Sequence, residues 1–333
     1  MPVDGQDWGN PIWVHRSQFS QAVGMIGKMH IWGEKMRASI AICTHNRGND
    51  TMQAIDSLLK GDAEYGSYEI LIIDNCSTDN TKVLFDSLDF PPHVRYILEP
   101  QLGLSYARNR AIEEAQGEFV LFLDDDALAS SSWIGEIVKI YDMNPAIGCV
   151  GGKIVPIWEG GKPEWIPDDL VSLYTLLDFS DSVVEMNAPH IPFGANVSFR
   201  KSVFKHIAPF RTDLGRIGNN LLSGEESDLI ERIREHYKVY YNPYAVVEHK
   251  IAKSRLNKRW LLRRVYWQGI SDATQHHKST WGILKHLFII SLASVYILVS
   301  MNNVKKVTRG MAKISYRNGS IVGSFRKSKG MNA

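Results

Sequence analysis

The chain has 333 residues, 44% of them hydrophobic and 22% charged, which are ordinary globular values with room for one large α/β domain or two smaller ones. Its three cysteines, Cys43, Cys76 and Cys149, stand far apart in no metal-ligand spacing, which excludes a disulfide framework and points to a reducing compartment. The net charge of +2 hides an asymmetry: residues 251–333 hold sixteen Lys and Arg against one acid, Asp272, whereas residues 1–250 hold 22 bases and 35 acids. An acidic body with a basic tail suits an anionic surface at the tail end.

Residues 1–37 hold three Trp and Met25, Met29 and Met36, but no apolar stretch of signal-peptide length, and read as an extension ahead of the first strand. From Ala38 short apolar runs alternate with helical stretches. ASIAIC (38–43) is followed by a helix over 50–60, and EILIID (69–74) by a helix opening near STDNT. VRYIL (94–98) is followed by a helix over 105–117 that stops at Gly117, and EFVLFL (118–123) by one over 131–143. Fully apolar strands alternating with helices of this length predict βαβ units and a mostly parallel sheet covered on both faces.

Residues 151–250 are less regular. They hold Gly and Pro clusters, a helical GEESDLIERIREHY (224–237) and the short runs KVYYNP and AVVEHK, as expected of an α+β half that completes a cleft. RLNKRWLLRRVYWQG then reads as a basic helix carrying Trp, and 281–301 as a helix apolar on every face past His286. Its uncharged part, Leu287–Met301, is short for a membrane span. With basic residues on both flanks, and Trp260, Trp267 and Trp281 nearby, a helix lying in or dipping into the inner leaflet is expected. A true span and a buried helix or oligomer contact are the alternatives.

Ligands of such sheets bind beyond the carboxyl ends of the strands, and the polar clusters fall there. Thr44, His45, Asn46 and Arg47 follow the first strand, Asp74 and Asn75 end the second, and Asp124, Asp125 and Asp126 end the fourth. Side chains alternate along an extended strand, so Asp124 and Asp126 share a face and Asp125 points away. Two converging carboxylates suit Mg²⁺ or Mn²⁺. Asp74 can accept hydrogen bonds from a ribose or a base edge, while Asp79 is read as a helix cap. No glycine-rich phosphate loop follows the first strand, so the charge of a phosphorylated ligand falls to a metal and to basic side chains. Glu225, Glu226 and Asp228 open a helix, where acids complement the dipole and one could serve as a general base. His249, alone, is either a structural histidine or a ligand.

The ordered set THNR, LIIDNCSTDNT, GLSYARN, FLDDD, GEESDL and VEH, from about Ser39 to His249, resembles glycosyltransferase family 2. The resemblance implies a GT-A fold of mostly parallel sheet flanked by helices, here with a basic and apolar helical tail. It divides the chain into an extension (1–37), a catalytic domain (38–250, nucleotide half 38–150 and acceptor half 151–250) and a membrane-associating tail (251–333). It implies an inverting, metal-dependent hexosyltransferase of cell-surface polysaccharide synthesis, with a nucleotide-diphosphate sugar, most often a UDP-sugar, as donor and a hydroxyl of a glycan or lipid-linked acceptor. Thr44, Asn46, Arg47, Asp74 (at the base), Arg108 (beside the diphosphate) and Asp124 would meet the donor. Asp124, Asp126 and His249 would hold Mg²⁺ or Mn²⁺. Gly194, Ala195 and Asn196 would lie on the acceptor side, and Glu226 or Glu225 would be the base. A sugar-1-phosphate nucleotidyltransferase and a non-catalytic glycan-binding relative are the competing readings. The place implied is the cytoplasmic side of the inner membrane, and the apolar helix argues for lipid rather than nucleic acid as the tail's partner.

Overall fold

The structure is a computed structural model that describes residues 36–61, 67–216, 221–275 and 280–329. The extension expected over 1–37 lies outside these but for its last two residues, as does the side chain of Trp281. The described residues fall within one compact unit.

Strands β1 (Ala38–Thr44), β2 (Tyr68–Asp74), β3 (Val94–Leu98) and β4 (Phe119–Leu123) pair in parallel, in the order β3-β2-β1-β4. Their apolar sequences follow from burial on both faces. Ile40, Ile42, Ile70 and Ile72 face one core with Leu58, Trp133 and Tyr141, and Ala41, Leu71 and Ile73 face the other with Ala107, Ala111 and Leu229. The covering helices are α1 (Gly48–Leu59), α2 (Thr81–Asp86), α3 (Leu104–Glu114), α4 (Trp133–Met143) and α5 (Glu225–Arg234). The chain leaves β1 to one side toward β2 and β3 and returns on the other side as β4. This switch point opens a crevice between the carboxyl ends of β1 and β4.

Beyond β4 the sheet becomes mixed. β8 (Asn196–Arg200) lies antiparallel to β4, and β6 (Ile147–Trp158) runs antiparallel to β8 and parallel to β9 (Lys238–Ile251). β5 (Ala127–Ala129) and β7 (Val184–Glu185) pair antiparallel with β9. The runs expected as two pieces, KVYYNP and AVVEHK, are one long strand. Its register on β6 slips between Gly152 and Lys153, where the partner jumps from Asn242 to Val246. Pro243 lies in the skipped stretch and has no N–H to give the ladder.

The tail folds as α6 (Lys258–Gln275), α7 (Thr280–Val299) and α8 (Val304–Lys329). Packing crosses the boundary expected at 250/251: Ile251, Leu261, Val265 and Ala312 share a core with Ile166 and Tyr174 of the body. α6 and α8 approach so closely that a Cβ on Gly319 would stand 1.9 Å from the Tyr266 carbonyl oxygen. α7 is not equivalent on all faces. His286 and Ala293 are buried, as is Ser300 just past the helix, while Leu284, Leu287, Phe288, Leu292, Val295, Leu298 and Val299 are all more than half exposed. No helix among the described residues is long and apolar enough to cross a membrane.

Candidate active site

A cleft of about 550 Å³ lies at the carboxyl ends of β1 and β4, within the range of small-molecule sites. Thr44, Arg47, the three aspartates, Gly194, Glu226 and His249 line it, together with Arg216, Arg255, Arg264 and Gln268.

Asp124, Asp126 and His249 offer ligand atoms that all lie within 4.8 Å of one another. His249 is brought there by β-pairing: in the β5–β9 ladder it faces Ala127, the residue after Asp126. Its Nε2 lies 3.1 Å from Asp126 Oδ1, and its buried Nδ1 has no hydrogen-bond partner. A buried imidazole with an orphan nitrogen beside two carboxylates fits a divalent cation such as Mn²⁺ or Mg²⁺.

Asp126 Oδ2 takes Arg47 Nη1 at 2.6 Å and Arg255 Nη2 at 3.2 Å. Burial opposes its ionisation, but the hydrogen bond and charge of His249 and the two arginines outweigh it and hold the carboxyl well below the usual range. Asp125 is turned away from the metal-ready group, yet it is buried rather than solvated. Its two oxygens accept Thr44 Oγ1 at 3.0 Å and Arg47 Nη1 at 2.9 Å. Burial and its neighbouring aspartates push it up to about 7, against the pull of Arg47. Arg47, expected at the nucleotide, is therefore engaged in clamping two of the three aspartates.

Arg108 joins the two halves of the cleft. It is buried, and its Nη1 donates at 3.0 Å to both Glu225 Oε1 and Glu226 Oε1, while Nη2 lies 3.9 Å from Asp124. It is thus a counter-ion to the two glutamates more than a diphosphate contact. The glutamates differ. Burial and the charge of Glu226 raise Glu225 to about 7, and its Oε2 is buried without a partner. Glu226 is partly open to the cleft, and Arg108 outweighs burial to lower its pKa. Gly194 makes this approach possible, since a Cβ there would stand 2.1 Å from Arg108 Nη2 and 2.3 Å from Glu226 Oε1.

Four expected site residues do not line the cleft. Asp74 is buried with one oxygen on the Ser77 N–H at 2.8 Å and the other on the Tyr96 hydroxyl, and Asn75 provides the wall at that strand end. Asn46, in the left-handed region at φ 57°, accepts the N–H groups of Thr78 and Asp79 and so braces the loop after β2. Ala195 is buried. Asn196 is also buried and bonds Trp133 Nε1 and the carbonyls of Lys153 and Ala245, tying β8 to its neighbours. Asp79 accepts the N–H of Thr81, the first residue of α2, as a cap does. Arg216, Arg255, Arg264 and Gln268 were not expected at the site. The last three sit in the basic tail, where charge density masks any single residue's role.

A doubly covered sheet with this switch point, an acid pair at the end of its fourth strand and a glutamate across the cleft defines a GT-A glycosyltransferase. The sequence model of glycosyl transferase family 2 matches residues 39–208, and the chain belongs to that family. It is 29% identical over 283 residues to the glucosyl-dolichyl phosphate glucuronosyltransferase of Haloferax volcanii, spanning 81% of this chain and 87% of the relative. It is 21% identical over 273 residues to the succinoglycan biosynthesis protein ExoM of Rhizobium meliloti, spanning 75% and 80%. The fold is similar to that of the mannosyltransferase PcManGT from Pyrobaculum calidifontis, solved with GDP-Man and Mn²⁺, with a TM-score of 0.61, 17% identity and coverage of 93% and 94%. The family, these relatives and the acid–imidazole group support a metal-dependent glycosyltransferase that uses a nucleotide-sugar donor.

Proposed function

We propose that the chain transfers a hexose-type sugar from a nucleotide-diphosphate sugar, a UDP-sugar first among candidates, to a hydroxyl of a glycan or lipid-linked acceptor in surface-glycan synthesis, with inversion. The relatives' names, a lipid-phosphate glucuronosyltransferase and a polysaccharide assembly protein, support that acceptor class. The observation that carries the reading is the pairing, in one cleft, of a cation-ready group (Asp124, Asp126, His249) with an ionised glutamate, Glu226, held by Arg108.

Asp124, Asp126 and His249 would hold Mn²⁺ or Mg²⁺, which when bound neutralises charge growing on the leaving diphosphate. Arg255 and Arg47 add fixed positive charge beside Asp126. Glu226 accepts the proton of the acceptor hydroxyl as its oxygen attacks the anomeric carbon. The bond to the diphosphate breaks on the opposite face, which inverts the centre. Glu225, buried and with its pKa raised to about 7, contacts the same Arg108 Nη1 at 3.0 Å and helps to fix it beside Glu226. The 151–250 half gives the acceptor side through Gly194, and the exposed apolar face of α7, flanked by Lys285 and Lys306, lies against the cytoplasmic leaflet of the inner membrane.

The test is a screen of nucleotide sugars for release of the nucleoside diphosphate, with Mn²⁺, with Mg²⁺ and with chelator. One donor class is expected to turn over with metal and to stop with chelator. Absence of metal-dependent turnover for every donor would overturn the reading.

A further inference from the structure

Five arginines and five carboxylates line the cleft, but they are not matched pair by pair. Arg47, Arg108 and Arg255 each have a carboxylate within 4 Å. Arg216 and Arg264, which also line the cleft, have none among the described residues. Arg264 projects from α6, and its hydrogen bonds among the described residues are two weak ones, to Ser223 Oγ at 3.4 Å and the Leu221 carbonyl at 3.5 Å. Burial first, then the charge of Arg216, pull it down to about 10 against the opposing pull of Glu226, Glu225 and Asp272. Ser223 is held in turn by Ser271 and Gln268 of the same helix. Two guanidiniums with no carboxylate within 4 Å among the described residues, one of them beside a serine hydroxyl, have the chemistry to receive a tetrahedral oxyanion.

On the transferase reading the donor's diphosphate belongs with the cation held by Asp124, Asp126 and His249, beside Arg47 and Arg255, whereas Arg264 contacts Ser223 and Leu221. Ser223 and Leu221 lie immediately before the helix that carries Glu226, so Arg264 borders the base and the side from which the acceptor enters. The carrier helix α6 packs on α8 through Gly269 and Gly319, and α8 in turn receives α7, whose outer face is apolar. One three-helix tail thus offers an anion receptor inside and a lipid-compatible face outside.

We propose that Arg264 and Arg216 form a second anion subsite that binds the phosphate joining an acceptor to its lipid. This rests on the reading of the cleft as a transferase site with its acceptor entering beside Glu226.

The full chain, with Mn²⁺ in neutral detergent, is titrated with a long-chain prenyl phosphate, with the matching prenol and with inorganic phosphate. The prenyl phosphate is expected to bind at least ten-fold more tightly than the prenol and than inorganic phosphate. Arg264→Gln and Arg216→Gln should each remove the preference over prenol, Arg264→Lys should keep part of it, and Mn²⁺-dependent UDP binding should stay within two-fold. Equal binding of prenyl phosphate and prenol overturns the proposal, as does a preference that survives both Gln variants. Tightest binding of inorganic phosphate reassigns the subsite to a free anion, and loss of UDP binding in the variants reassigns it to the donor; either overturns it too. A wild-type chain without Mn²⁺-dependent nucleotide binding would instead fail the transferase reading, while the comparison of prenyl phosphate with prenol still judges the subsite.

Discussion

His249 Nε2 stands 3.1 Å from Asp126 Oδ1, and a three-residue strand brings them together, since Ala127 of β5 lies opposite His249 in β9. The imidazole closes the acid pair into a three-ligand group and leaves Nδ1 buried without a partner. Replacing His249 with Ala should lower apparent Mn²⁺ affinity by at least the ~10–100-fold seen for groups that merely orient ligands. Titration of Mn²⁺ by thermal shift, with UDP present, reads this directly. An unchanged midpoint would remove His249 from the metal group.

Gly194 lies against both Arg108 and Glu226, and both are pinned by each other. Gly194→Ala should displace the carboxylate by a fraction of an ångström to an ångström, a shift that can cost ~10² in rate. The expected signature is a lower kcat with the KM for donor nearly unchanged. A raised donor KM with normal kcat would place Gly194 at the nucleotide instead.

Glu225 gives a pH dependence of defined sign. Its folded pKa is raised from 4.5 to about 7 by burial first and by Glu226 second. The folded state therefore favours the protonated carboxyl. The stability this contributes is fully present below pH 4.5 and is lost as pH rises through about 7. Glu225→Gln, which keeps the neutral form at all pH, should lose less Tm than wild type between pH 4.5 and 7. The difference between the two melting curves isolates this residue from Asp125, which titrates in the same window. A wild type that gains on the variant across that window would contradict the assignment.

The exposed face of α7 is expected to bind anionic vesicles, with Phe288 and Leu292 at its centre. Burying an apolar side chain of this size is worth ~1.5–3 kcal/mol, so Phe288→Glu with Leu292→Glu should weaken sedimentation with anionic vesicles by at least ten-fold. Donor turnover in detergent should stay unchanged. Equal sedimentation of variant and wild type would detach α7 from the membrane.

The nucleotide half was legible because its signals are local. Alternating apolar strands fixed β1 to β4 to within a residue or two, and motif order placed Asp124, Asp126, Glu226 and His249 in one cleft. What was not legible depends on long-range pairing. Asp74 and Asn46 sit at strand ends where ligand residues belong, but Tyr96 and the loop after β2 had already claimed them. Asn196 looked like an acceptor residue because of its loop, and it serves Trp133 on the other side of the strand. Arg255 and Arg264 were hidden in a tail whose charge suggested a surface, until packing across Ile251 turned one helix toward the cleft. The Glu225/Glu226 ambiguity is sharpened by burial, since Glu226 alone combines exposure to the cleft with a lowered pKa.

The central claim is that Glu226, ionised beside Arg108, takes the acceptor's proton. The most direct measurement is turnover of Glu226→Gln beside its affinity for UDP with Mn²⁺. Losing a general base costs ~10²–10⁴ in rate, so transfer should fall by that range while UDP affinity stays within two-fold. Wild-type turnover in Glu226→Gln would contradict the account.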